Sequence, residues 1–70
     1  MSELSREELC RLWDQRHARI KFSAEDAHFI YGFCDLEMSW EEAGARAGLD
    51  SDESAQLWRH LLEVAEAERR

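Results

Sequence analysis

The sequence predicts an all-α fold, a small bundle of about four helices, and three observations support that prediction. The 70 residues include no proline and three glycines, while Ala, Leu, Glu and Arg dominate, so strong helix formers fill a chain with few breakers. Serine followed three residues later by an acid occurs at Ser5/Glu8, Ser23/Asp26 and Ser39/Glu42, the pattern in which a hydroxyl and a carboxylate satisfy the free N–H groups of a helix start. After each of these starts, apolar residues recur at helical spacing.

The first helix is expected over 6–19. Leu4 and Leu9 flank its cap at staple positions, Leu9, Leu12, Trp13, Arg16 and Ile20 fall on one face, and Arg16, Arg19 and Lys21 gather near an end where the helix dipole favours cations. The second, over 24–36, opens at Ser23. Its apolar residues Ala27, Phe29, Ile30, Tyr31, Phe33, Cys34 and Leu36 cover roughly 220° of the wheel at about 100° per residue, more than one buried stripe requires. The third, over 40–47, is short, with Met38 ahead of its cap and Gly48 where a left-handed C-terminal cap should fall. Asp50 with Glu53, or Ser51 with Ser54, can cap the fourth, over 52–67, whose Leu57, Trp58, Leu61, Leu62, Val64 and Ala65 span roughly 160°. Helices two and four thus present more apolar surface than one small core uses, and a second surface to cover it is expected.

Seventy residues make a single domain, 1–70, whose core is marginal because a chain of this size buries only about 60% of the surface its unfolded form exposes. No run of 18 apolar residues occurs, and the N-terminus has acids where a secretory signal has bases, so a cytoplasmic protein without a membrane span is expected. In a reducing compartment Cys10 and Cys34 would be thiols, acting as small buried hydrophobes. If helices one and two fold back about residues 21 and 22, the two cysteines lie at the same height, so proximity is expected, with a disulfide only under oxidising conditions.

The net charge of -7 is uneven: residues 1–22 hold five bases and four acids, residues 23–49 one base and six acids, and residues 50–70 three bases and six acids. Most of the chain therefore repels phosphate, and its charge favours a basic protein partner, or solubility alone. Arg11, Arg16, Arg19 and Lys21, with His17 among them, form the one positive face; it reads first as a solvated helix end complementing the dipole.

Phe22, Trp40 and Trp58 are spaced 18 and 18 residues apart. Together with Glu25-Asp26 after the first aromatic and Ala43-Gly44 after the second, this resembles the regularly spaced aromatics of Myb/SANT-type helix-turn-helix domains, over about residues 22–62. In the broader pattern, "EAGARAGL" is similar to a helix and turn in which Gly44 lets two helices approach, Gly48 makes the turn and Leu49 plugs the corner. The resemblance implies a three-helix unit in which the aromatics pack together, with a reading face near the start of the fourth helix. That face departs from a DNA reader. Asp52 and Glu53 stand at its beginning, with only Gln56, Arg59 and His60 behind them, whereas bases and phosphates are met by Arg, Lys, Asn or Gln. SANT-type members of the family use acidic versions of the fold to grip proteins.

Catalytic and metal chemistry find little support. His17, His28 and His60 share no C-x-x-C or H-x-x-x-H spacing with each other or with the cysteines, so neither a metal nor another cofactor is expected. Cys34-Asp35 near His28 lacks an orienting group and an oxyanion loop, so an enzyme is not expected. The reading that fits is a small acidic regulator or inhibitor, of the phage or bacterial type, that binds another protein with a basic surface. It would cover that partner's nucleic-acid-binding surface or form a homodimer. Phe29, Phe33, Trp58, Leu61 and Leu62 would anchor the interface, and Glu41, Asp50, Asp52 and Glu53 would steer it. The alternative is a dimeric DNA-binding regulator with Gln56, Arg59 and His60 at bases and Arg16, Arg19 and Lys21 on phosphates.

Overall fold

The computed structural model describes residues 4–14 and 21–69, which form four helices: α1 (Arg6–Leu12), α2 (Ala24–Cys34), α3 (Trp40–Arg46) and α4 (Ser51–Arg69). The expected caps hold. Ser5, Ser23 and Ser39 accept hydrogen bonds from the backbone N–H groups of Glu8, Asp26 and Glu42, each at 3.2 Å. At α4 the cap is Asp50 with Glu53. The Glu53 N–H donates to the Asp50 carboxylate at 2.8 Å and the Asp50 N–H donates to the Glu53 carboxylate at 3.1 Å, a reciprocal box that leaves Ser51 as the first helical residue.

Helix α1 ends at Leu12, well short of the expected Arg19, and residues 15–20 lie outside those described. The reason is tertiary. Trp13 is the C-cap residue, only 1% exposed, and its indole N–H donates to the Leu61 carbonyl of α4 at 3.0 Å. A large ring committed to the core at that point, with its one donor paired across the molecule, outweighs the periodicity that would have continued the helix. Helix α2 closes at Cys34, two residues before the expected Leu36; Leu36 and Met38 donate their N–H groups to Tyr31 and Gly32, and Glu37 takes a left-handed φ of 56°.

The turn after α3 follows from its glycines. Gly48 has φ of 86°, its N–H donates to Ala45 at 3.0 Å and that of Leu49 donates to Gly44 at 2.9 Å, the paired bonds of a Schellman end that glycine enters without steric cost. Gly44 serves a different purpose. A Cβ built there would stand 1.9 Å from the Ser54 hydroxyl oxygen, so the crossing of α3 on α4 exists only because position 44 has no side chain.

The core gathers Leu9 and Trp13 from the α1 region, Phe29 and Phe33 from α2, Ala43 from α3, and Leu61, Val64 and Ala65 from α4. Helix α2 packs on α3, α3 on α4, and α1 lies against both α4 and α2. This accounts for the wide apolar arcs of α2 and α4, because α1 covers what the other three helices leave open. Among the described residues the large hydrophobics that stay exposed are Tyr31 (47%) and Leu36 (43%).

Cys10 of α1 and Cys34 of α2 form a disulfide with Cα atoms 5.8 Å apart. The expected proximity is found, and the expectation of free thiols gives way to a bridge, since the two helices bring the pair within the ordinary span of one. Arg6 makes a second tie between the same helices. Its guanidinium donates to the carbonyl of Phe33 in the last turn of α2 and to that of Met38 beyond its end, and lies 3.9 Å from the centroid of the Phe33 ring.

Two outcomes follow from this packing. The bridge closes a loop with a sequence separation of 24, so the chain-entropy model gives it about 3.5 kcal/mol. Urea unfolding followed by tryptophan fluorescence should therefore show a clearly lower midpoint after reduction, and superimposable curves would contradict a structural bridge. Gly44→Ala, although favoured by helix propensity, should destabilise by about 1–3 kcal/mol through overpacking. Adding Ser54→Gly removes the clashing atoms, so the double variant should be more stable than the sum of the two single changes; strict additivity would mean that the crossing is not limited by this contact.

Candidate functional site

The turn between α3 and α4 builds a concave surface with a volume of about 490 Å³. It is lined by Trp40, Glu41 and Ala45 of α3, by Leu49 and Asp50 of the turn, and by Ser51 and Ser54 of α4. Every member is positioned by a feature already described. The Ser39 cap fixes the first turn of α3 and so the directions of Trp40 and Glu41, the Gly48 turn sets Leu49, and the reciprocal box holds Asp50. Trp40 is half-buried and stacks on Trp58 at 6.2 Å with 10° between the ring planes, so one face of its indole is backed by the core.

Ser54 is the buried polar residue of this region, at 2% exposure. Its backbone N–H donates to the Asp50 carbonyl at 2.8 Å, and its hydroxyl oxygen is pressed against Gly44. Among the described residues no fully buried side-chain nitrogen or oxygen lacks a hydrogen-bond partner.

The acids expected to steer a partner, Glu41, Asp50, Asp52 and Glu53, are all exposed, and none forms an ion pair among the described residues. Asp50 and Glu53 are nevertheless engaged, because their carboxylates cap α4. The apolar residues expected as interface anchors divide differently. Phe29, Phe33 and Leu61 are buried in the core of the chain itself, which corrects their placement at a surface: α1 docks on them and takes up the apolar face that was read as surplus. Trp58 and Leu62 keep partial exposure and border a shallow groove with Leu4, Leu9 and Glu66.

Of the residues expected to meet nucleic acid, Gln56, Arg59 and His60 are exposed along α4, and Lys21 is exposed ahead of α2. Arg16, Arg19 and His17 lie outside the described residues. Cys34, weighed as a nucleophile, is held in the disulfide.

Two residues that matter here escaped the reading of the sequence. In the sequence Ser54 offers a cap with Ser51 and a place on the face where the resemblance puts DNA readers, and its burial against Gly44 requires both helices to be placed. Arg6 looked like one more charged residue of a helix start, and nothing local signals its seat on α2. The regular aromatic spacing is partly expressed: Trp40 stacks on Trp58, whereas Phe22 is half-buried at the edge of the core, and Trp13 supplies the third tryptophan ring beside Trp58. No family model, no curated protein and no solved structure matches this chain.

Proposed function

We propose that this chain is a small non-enzymatic regulator or inhibitor that acts by binding a protein with a basic surface. The observation that supports the reading is the set of four exposed acids, Glu41, Asp50, Asp52 and Glu53, around the α3–α4 corner, without a counter-cation among the described residues. A field of one sign over a concave surface raises the local concentration of an oppositely charged partner and speeds encounter. The Myb/SANT-like spacing is consistent with this reading, since acidic members of that family bind proteins. Covering a partner's nucleic-acid-binding surface would use the same acids in place of phosphates. Homodimer formation draws its support from a smaller feature, the partly exposed Trp58 and Leu62 beside Leu4 and Leu9.

The competing reading, a DNA-binding regulator, draws on the exposure of Gln56, Arg59 and His60 on one helix. It has to overcome Asp52 and Glu63 on the same side of α4, each repulsive toward phosphate.

The two readings separate in solution. Capture on the immobilised folded chain should recover a basic protein from its native host, and the Glu41→Gln/Asp50→Asn/Asp52→Asn/Glu53→Gln variant should lose it. Mixed duplex DNA at about 50 mM salt, where a phosphate-binding protein is near its tightest, should give no mobility shift. A shift that weakens steeply with added salt would replace this proposal by the DNA-binding one, and equal capture by both variants would remove the acids from the mechanism.

A further inference from the structure

We infer that the Cys10–Cys34 bridge is a redox latch on α1: reduction by a dithiol releases α1 while the other three helices stay packed, and bares the core face of Phe29, Phe33, Trp58 and Leu61. The latch operates whatever the acidic corner binds. Solvent reaches the bridge, because both cysteines are half-buried and line a concavity of about 380 Å³ together with Tyr31, which is 47% exposed. Helix α1 has seven residues, too few to hold its own shape, so it persists only while it is docked. Reduction leaves it to noncovalent ties such as the Trp13 indole N–H on the Leu61 carbonyl at 3.0 Å, Arg6 on the Phe33 and Met38 carbonyls, and the burial of Leu9. The other helices hold one another through contacts that α1 does not share. A Cβ at Gly32 of α2 would stand 3.4 Å from that of Ala43 of α3, and Gly44 of α3 meets Ser54 of α4. Trp58 of α4 lies 5.0 Å from Phe33 and 6.3 Å from Phe29 of α2, and 6.2 Å from Trp40 of α3.

The exchange balances with a dithiol as reductant. One of its thiolates attacks Sγ of Cys10 or Cys34, the sulfur–sulfur bond breaks, and the other cysteine leaves as a thiolate that takes up a proton. The second thiol of the reductant then displaces the first cysteine and closes a cyclic disulfide. The protein gains two electrons and two protons, and the dithiol gives up both. Asp14 and Asp35 line the same concavity and repel an anionic reagent, so a dithiol without a carboxylate suits it. While the bridge stands, Cys10 cannot leave Cys34 however often the other contacts of α1 break. Once it is cut, α1 gains the freedom of the chain between Cys10 and the start of α2 at Ala24. Closing a loop of this size corresponds to about a hundredfold in the docking equilibrium.

The test is amide hydrogen exchange of the full chain, followed by NMR over a series of low urea concentrations, in the oxidised protein and after dithiothreitol. The amides to watch in α1 are Leu9 and Trp13, whose N–H groups donate to the Ser5 and Leu9 carbonyls at 2.9 and 3.0 Å. On reduction both should exchange about a hundredfold faster. Their exchange should also depend on urea more weakly than that of Ala43 and Leu61, because release of α1 exposes less surface than unfolding of the whole chain. Reoxidation should restore the slow exchange. Unchanged exchange at Leu9 and Trp13 would overturn the latch. So would a reduced chain in which these amides share one rate and one urea dependence with Ala43 and Leu61, since the bridge would then staple the fold as a whole. Reduction under native conditions should quicken in proportion to dithiothreitol concentration. A rate independent of that concentration would mean that the bridge is reached only after unfolding, and would overturn the inference as well.

Discussion

Trp58 is the side chain through which the four helices meet. Its ring lies 5.0 Å from Phe33, 6.2 Å from Trp13, 6.3 Å from Phe29 and 6.2 Å from Trp40, so it touches α2, α3 and the end of α1 from its own place on α4. Such pairs contribute about 0.5–1.5 kcal/mol each beyond the area they bury. In a domain whose total stability is expected near the lower end of about 5–15 kcal/mol, that makes the aromatic cluster a large share of the whole. It also imposes a demand. Trp13 cannot enter without an acceptor for its indole N–H, and the Leu61 carbonyl, one helical turn beyond Trp58, provides it.

The seven residues of α1 are too few to persist as an isolated helix, so its order is borrowed from tertiary contacts. Three of them act from different directions: Trp13 on α4, the Cys10–Cys34 bridge to α2, and Arg6 across the end of α2. Arg6 satisfies the Phe33 carbonyl, which the end of α2 leaves without an intrahelical partner, and the Met38 carbonyl in the connection to α3, while its guanidinium stays against the Phe33 ring. A marginal core is in this way supplemented by one covalent tie and one cationic tie at the same junction.

What was legible in the sequence was what is decided locally. The serine and aspartate caps, the left-handed Gly48 and the close approach at Gly44 each depend on a few neighbouring residues, and each occurs where the sequence places it. The end of α1 was not legible, because periodicity through Ile20 says nothing of a ring at Trp13 that turns inward. The same blindness misassigned Phe29, Phe33 and Leu61. A wide apolar arc on a wheel says that something covers it, and α1 of the same chain satisfies that condition as well as a second protein would. The cysteines were placed by simple geometry, since a hairpin brings equidistant positions level, whereas whether the pair is bridged depends on redox conditions that residue spacing does not encode.

The acids of the α3–α4 corner answer to two demands that usually conflict. A helix N-terminus favours negative charge by about 0.3–1 kcal/mol per group, so Asp50, Asp52 and Glu53 stabilise α4 whatever the surface binds. In a helix that reads DNA, a neutral cap leaves the dipole and free N–H groups to act on a phosphate. Here the Asp50 and Glu53 carboxylates already occupy N–H groups at that end, and a phosphate would have to compete with both. The capping chemistry that makes α4 start cleanly therefore also fixes the sign of the surface beside it.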